Sequence, residues 1–353
     1  MLFVLARGLP TAAVIAIAAA AVYSTVPLVL FIRRLGWPFY PRAWFRLLVV
    51  RVVLWVQLLL PLVAGAGLLG MVLGLPFGAP LVAGRWAAAA VLTVGVVGLF
   101  VGWVGSRRLV TKEMTVDIPG LPAGLDGLRI VQISDLHIGP HTSRRFLGKV
   151  RRAVEGARPD VIAVTGDLVD DRVEDTAAYA RALGGLSAPL GVYAIPGNHD
   201  VYAGWDGVEE GVRRLTGMRW LVNEAVPIEK GGARVWLVGL GDPAAGGRWG
   251  GRFAAARAAP DVARAMARVP DEEPVVALAH NPALWPSLRK RGVALTLSGH
   301  THWGQLAVPS RGWSLASPFQ AYAMGVYREN GSTLYVHPGT GYWGVPFRVG
   351  AWG

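Results

Sequence analysis

The chain contains no cysteine. That absence excludes a disulfide framework, a thiolate metal site and a cysteine nucleophile. A second absence is positional. No aspartate or glutamate precedes Glu113, whereas residues 1–112 carry ten basic residues: Arg7, Arg33, Arg34, Arg42, Arg46, Arg51, Arg85, Arg107, Arg108 and Lys112. Taking those ten from the net +12 of the 353 residues leaves +2 for residues 113–353. The basicity therefore belongs to the N-terminal third, and the case for a nucleic-acid partner loses its support. Histidine is also scarce, with seven in the chain.

What residues 1–112 do have is long apolar runs. Thr11–Ile32, Val52–Gly74 and Trp86–Gly105 are free of charged residues and about 20 residues long, roughly 30 Å of helix and the thickness of a hydrocarbon core. Trp37, Trp44, Trp86 and Trp103 fall at or near the span ends, where amphipathic rings favour the interface. The expectation is a membrane domain over 1–112 with three spans, followed by a soluble domain over 113–353. A cleaved signal peptide ending near the alanine run at 18–21 is the competing reading of the first span. Arg33, Arg34, Arg42, Arg46 and Arg51 lie on one side with Arg107, Arg108 and Lys112, against Arg7 and Arg85 on the other. The positive-inside rule then places the soluble domain in the cytoplasm, on a multi-pass protein of the inner membrane. Gln57 is the one clear intramembrane polar group apart from small hydroxyls, which offers a transporter no ion path.

From Leu128 the pattern changes to short apolar runs: 128–134, 160–166, 191–197, 233–239, 273–279, 293–299 and 332–339. Between several of them lie stretches with helical spacing. In Thr142–Arg158, Phe146, Leu147, Val150 and Val154 make one face, and Arg144, Arg145, Arg151 and Arg152 another. Buried strands alternating with helices predict an α/β layered domain.

Five of these runs end in metal-ligand chemistry: Asp135 and His137; Asp167 and Asp170; Asn198, His199 and Asp200; His280; His300 and His302. Open α/β sheets gather functional groups beyond the C-terminal ends of their strands. Taken singly, each residue reads as a loop histidine or a helix cap; the conjunction carries the weight. Carboxylate, amide and imidazole ligands without sulfur suit two divalent ions such as Mn, Fe, Co or Zn. Such a pair serves hydrolytic phosphoryl transfer, in which a metal-bridging hydroxide attacks phosphorus in line. Residues i and i+2 of an extended segment share a side, so Asp135 with His137, and His300 with His302, are expected to face one cluster while Leu136 points into the core.

D-x-H, G-D-x-x-D, G-N-H-D, H and G-H-T-H, in that order, resemble the motifs of the calcineurin-like metallophosphoesterases over roughly residues 125–349. The resemblance implies a four-layer αββα sandwich. It implies that Asp135, His137, Asp167 and His302 hold the first metal. Asp167 would bridge, and Asn198, His280 and His300 would complete the second. It also implies that His199 is the general acid, with Asp200 orienting its imidazole. The strings GHTHWGQ and GTGYWGVPFR resemble a bacterial branch tethered by N-terminal membrane segments, which includes the UDP-2,3-diacylglucosamine pyrophosphatase of lipid A synthesis. The implied partners are the lipid bilayer and a phosphorylated, lipid-linked substrate; the alternative is a tethered phosphoesterase for soluble nucleotides, glycerophosphodiesters or phosphoproteins. Trp303, Trp313, Phe319, Tyr322 and Tyr327, with Arg311 and Arg328, follow the last motif and read either as core packing or as an apolar lip for acyl chains. Arg248, Trp249 and Arg252 read as a surface loop that could serve the same end. His141 and His337 read as loop and strand histidines, with His141 near enough in sequence to contact substrate.

Overall fold

The computed structural model describes residues 51–118, 120–246 and 255–352, and a few positions between 11 and 25 that are helical. The rest of the expected first span, the loop bearing Arg33, Arg34, Arg42 and Arg46, and the stretch with Arg248, Trp249 and Arg252 lie outside the described residues. The chain divides into two compact units, Met1–Val104 and Gly105–Gly353.

Among the described residues from 51 on, the first unit forms two apolar helices, α1 (Arg51–Gly74) and α2 (Pro80–Gly105), joined by a tight turn at Leu75–Phe77. Trp55–Phe77 and Pro80–Gly105, 23 and 26 residues long, are each long and apolar enough to cross a membrane. Leu62, Leu69, Val72, Val94 and Phe100 remain exposed, so the helices present apolar side chains to their surroundings. Gly70 lets the two approach closely, since a Cβ there would sit 2.7 Å from the Ala83 carbonyl oxygen. The third expected span starts earlier than Trp86. Pro80, which has no N–H to leave unpaired and a φ already suited to a helix, opens α2, and Arg85 becomes a helical residue instead of a loop charge.

The second unit contains all seven predicted runs as strands. The first sheet is parallel in the order β1 (Ile130–Ile133), β2 (Val161–Thr165), β3 (Val192–Ile195) and β4 (Arg219–Trp220). The connections are α3 (Arg144–Gly156), α4 (Thr176–Leu183) and α5 (Asn198–Leu215). The second sheet uses β5 (Glu224–Lys230), β6 (Ala233–Gly239), β7 (Val275–Leu278), β8 (Leu295–Ser298), β11 (Gly325–Glu329) and β12 (Ser332–Val336), in the order β11-β12-β8-β7-β6-β5. A small hairpin of β9 (Ala307–Val308) and β10 (Trp313–Ser314) stands between β8 and β11 in sequence. Helices α6 (Val262–Met266) and α7 (Trp285–Arg289) complete the unit.

Three cores define four layers. Val161, Ala163 and Ile195 of the first sheet meet Val226, Leu237, Val276, Leu278 and Leu297 of the second. The other face of the first sheet (Ile133, Ile162, Val164, Ala194) packs against Leu147 and Val150 of α3, Tyr179 and Leu183 of α4, and Val201, Trp205 and Val208 of α5. The other face of the second sheet (Trp236, Val238, Val275, Ala277) takes Ala265 of α6 and Leu288 of α7. Strands buried on both faces explain why these runs read as continuous apolar segments. The strands β5 and β11 escape that pattern. They are antiparallel outer strands that carry charged residues at their ends, and β5 tolerates the exposed Pro227 because an edge strand need not donate every N–H.

Candidate metal centre

The loops after β1, β2, β3, β7 and β8 bring their polar residues to one place, at the C-terminal edges of both sheets. The local backbone differs from the expected pleat. Asp135 (φ 53°), His137 (φ 45°), Asp167 (φ 54°), His300 (φ 71°) and His302 (φ 49°) all adopt the left-handed conformation. The chain thus twists at each of these residues, and that twist, not strand alternation, turns Asp135 and His137 to one side while Leu136 is buried in the core. Such conformations cost of order 1 kcal/mol each and gather at functional sites, with Asp, Asn and His the non-glycine residues that take them most readily. Gly299 is required for close approach: a Cβ there would stand 2.1 Å from Ser134 Oγ and 2.2 Å from Asp135 Oδ2.

The side chains form two groups that share one carboxylate. In the first, His137 Nε2 lies 2.9 Å from His302 Nε2 and 3.4 Å from Asp167 Oδ2, and His302 Nε2 lies 3.3 Å from Asp135 Oδ1. In the second, His280 Nε2 lies 3.3 Å from Asp167 Oδ2 and 3.2 Å from Asn198 Oδ1, which in turn is 2.8 Å from His300 Nδ1. Asp167 Oδ2 therefore sits between the two groups, while its Oδ1 accepts the His199 backbone N–H at 2.8 Å. The supporting contacts fix ring orientation. His280 Nδ1 faces the Thr165 carbonyl at 2.8 Å, which leaves Nε2 to look into the site. Buried imidazole and carboxylate acceptors pointing at one another repel unless a cation or protons lie among them, so the donor set fits divalent metal.

Burial and the neighbouring carboxylates act on these imidazoles in opposite directions. Burial pulls His137 down, but the Asp170, Asp167 and Asp135 carboxylates outweigh it and raise its pKa. Burial opposes His280 in the same way, and Asp167 raises it well above the ordinary value. Burial pushes His300 down to about 4 and lowers His302. The raised pKa values favour protons on His137 and His280, and a cation would compete with those protons for the same nitrogens. Manganese titrated into metal-free protein at pH 7 is expected to release at least about one proton per chain. Because the metal competes with protons, affinity rises as pH is raised from 6 to 8. Calorimetry in two buffers of different ionisation enthalpy measures this directly; identical apparent enthalpies would contradict it.

His199 reaches the site from the first turn of α5. Its ring lies edge-on to His137, with centroids 4.6 Å apart, and beside Tyr202 and the exposed Trp343 at 5.6 and 6.1 Å. The expected orienting contact from Asp200 is not made. Asp200 Oδ1 accepts the Leu168 and Val169 N–H groups, and its Oδ2 accepts the Gly197 N–H, so it ties α5 to the loop after β2. The residue that aligns the His199 ring is Asp170, whose carbonyl oxygen meets Nδ1 at 2.5 Å. The Asp170 carboxylate also faces His137 Nδ1 at 3.4 Å and His141 Nδ1 at 3.9 Å. A second residue without an expected role is Asp242, just past β6. Burial pushes it up to about 6, and it stands in the field of His280. Its run ends in an acid like the others, which was the available signal.

The aromatic residues after His302 divide. Trp303 is buried, and Tyr322 and Tyr327 pack with Trp285 at 5.1 and 6.5 Å, so these three are core. Trp313 and Phe319 are exposed, as are Arg311 and Arg328. His141 lies near Tyr342, with ring centroids 5.3 Å apart, and His337 accepts the Gly339 N–H. Neither belongs to the clusters that could hold a metal, which are Asp135, His137 and His302; His137, Asp167 and His199; and Asp135, Asp167 and His280.

Comparison with known proteins gives concordant matches. The calcineurin-like phosphoesterase family matches residues 128–304. A transmembrane protein with metallophosphoesterase domain from Danio rerio is 36% identical over 248 residues, covering 67% of this chain and 54% of that protein. An uncharacterized metallophosphoesterase from Helicobacter pylori is 33% identical over 225 residues, covering 63% of this chain and 56% of its own length. YkuE of Bacillus subtilis, an uncharacterized metallophosphoesterase, is 28% identical over 265 residues, covering 74% of this chain and 88% of that one. The chain spans about half the length of the first two relatives.

Proposed function

This chain belongs to the calcineurin-like phosphoesterase family, and from that premise we propose a membrane-associated dimetal phosphohydrolase that cleaves a phosphodiester or pyrophosphate bond in a lipid-linked substrate. The observation that carries the two-metal reading is the position of Asp167 Oδ2, within 3.4 Å of His137 Nε2 and 3.3 Å of His280 Nε2. On this reading Asp135, His137, Asp167 and His302 hold one ion, and Asp167, Asn198, His280 and His300 the other. Bound divalent ions supply charge neutralisation on phosphoryl oxygens and make water a better nucleophile at neutral pH. The chain's own part is positioning and proton transfer. His199, aligned through Nδ1 by the Asp170 carbonyl, keeps Nε2 for exchange with the leaving oxygen. Burial lowers the His199 pKa, and a phosphate dianion beside it would draw the proton back.

Membrane association is supported by α1 and α2 and by the relatives named as transmembrane proteins. We place the enzyme at the inner membrane with its catalytic unit on the cytoplasmic side, on the strength of the arginine distribution. The lipid-linked substrate is supported by the exposed Trp343 beside His199. UDP-2,3-diacylglucosamine is the compound to test. Detergent-purified, manganese-loaded protein is expected to release UMP and the acylated sugar phosphate, identified by mass spectrometry, and His199→Ala to lose that release. No cleavage, with bis-p-nitrophenyl phosphate still hydrolysed, would keep the metal chemistry and remove the substrate.

A further inference from the structure

The hairpin β9–β10 follows His302 within a few residues, and several of its apolar side chains are exposed among the described residues. Val308 and Trp313 are cross-strand partners, so they share a face, and both are exposed, at 39% and 41%. Leu315, whose N–H continues the hairpin ladder to the Leu306 carbonyl, is 48% exposed. Phe319, in the turn that follows, is 81% exposed. The opposite face of the same hairpin is ordinary core: Ala307 and Ser314 are buried. Soluble surfaces carry single exposed apolar residues without consequence, but four large ones on one hairpin and its following turn mark a contact.

Charge and composition select the occupant. Between Glu273 and the C-terminus the chain has one acidic residue, Glu329, and that residue is paired with Arg289. Arg311 stands at the tip of the hairpin, exposed, in the turn Pro309–Arg311. A surface of tryptophan, leucine and phenylalanine with an arginine at its tip and no acid suits the boundary between acyl chains and anionic headgroups. The same chain carries two helices long and apolar enough to cross a bilayer.

We propose that the β9–β10 hairpin and the turn bearing Phe319 form a docking tip that inserts Trp313, Leu315 and Phe319 into the surface of an anionic bilayer. The tip's base is tied to the mouth of the site. Gln305 donates through Nε2 to the Trp343 carbonyl at 3.1 Å and accepts the Trp343 N–H at 3.0 Å, and Trp343 flanks His199. Docking thereby holds the metal centre against the lipid surface, which deepens the lipid-linked reading above and rests on it for its purpose.

The absence of cysteine makes the test clean. Full-length Phe319→Cys, labelled with an environment-sensitive fluorophore and placed in nanodiscs of phosphatidylethanolamine and phosphatidylglycerol, is expected to shift to shorter wavelength. Doxyl-labelled lipid should quench it several-fold more than a label at exposed Asp271→Cys. Replacing phosphatidylglycerol by phosphatidylcholine should reduce the quenching, and Arg311→Gln should remove that dependence. Equal quenching at the two positions overturns the proposal. So does a shifted but lipid-unquenched label at Phe319, which would mean a protein partner, such as a second copy, covers the tip. Phe319→Asp should leave hydrolysis of bis-p-nitrophenyl phosphate within about twofold while abolishing lipid quenching of a label at Leu315→Cys; retained quenching also overturns it. Quenching with no cleavage of UDP-2,3-diacylglucosamine would retain the docking tip and discard the substrate, so the two failures remain distinct.

Discussion

Asp167→Asn is expected to lower hydrolysis of bis-p-nitrophenyl phosphate by about 10³-fold or more, equivalent to roughly 4 kcal/mol of transition-state stabilisation. The same variant should reduce bound manganese from two ions per chain toward one. The substitution keeps the size and shape of the side chain and removes its negative charge. That charge is used three times: Oδ2 faces His137 and His280 across the two ligand groups, and Oδ1 receives the first-turn N–H of the helix carrying His199. The opposing histidines hold the Asp167 carboxyl well below its usual range despite burial, so the group is ionised at neutral pH. An amide in its place can coordinate through oxygen only weakly, and its NH2 would point at one imidazole. Metal content by elemental analysis separates lost ligation from lost folding, with circular dichroism as the check on the latter. Near-wild-type activity with two ions bound would end the shared-ligand reading.

The distribution of information between sequence and structure follows from physical cause. Strands buried on both faces are mostly apolar, so β1, β2, β3, β6, β7, β8 and β12 were visible as runs, whereas the outer strands β5 and β11 carry charged residues and were not. The site was visible because metal chemistry restricts its residues to a few types, and because those types recur at strand ends. Backbone geometry was hidden. Nothing in D-x-H distinguishes a pleated pair from two left-handed residues flanking a buried leucine, yet the observed φ of 53° at Asp135 and 45° at His137 requires the second. Contacts between a side chain and a backbone group were hidden for a related reason. Adjacency suggested that Asp200 serves His199, but successive residues in a helical turn point in different directions. Asp200 turns back to three backbone N–H groups, and the ring is aligned by a carbonyl 29 residues earlier. The same limit applies to the aromatic residues after His302, where Tyr322 and Tyr327 went to the core and Trp313 and Phe319 to the surface.

The second large effect concerns stability, at the arginine that ends the GTGYWGVPFR string. Arg348 is fully buried, and its guanidinium donates to the carbonyl oxygens of Pro338, Gly339 and Thr340. Burial pulls its pKa down to about 10, so it stays charged at neutral pH. The loop it grips is the backing of the metal centre: the Thr340 N–H donates to the Ser134 carbonyl at 2.7 Å, and the Gly341 N–H to the Asp135 carbonyl at 2.9 Å. Arg348→Met fills much of the same volume but leaves three carbonyls without their donor in a place water does not reach, at a cost of about 3–5 kcal/mol. For a unit of this size that corresponds to a fall in Tm of roughly 10 °C. Arg348→Lys, which retains the charge but not the planar fork, should fall between the two. Because the loosened loop carries Asp135 with it, the Met variant should also bind manganese more weakly at temperatures well below its unfolding transition. A Tm within about 2 °C of the parent, with unchanged manganese affinity, would show that the loop is held by its backbone contacts to Ser134 and Asp135 and not by the arginine.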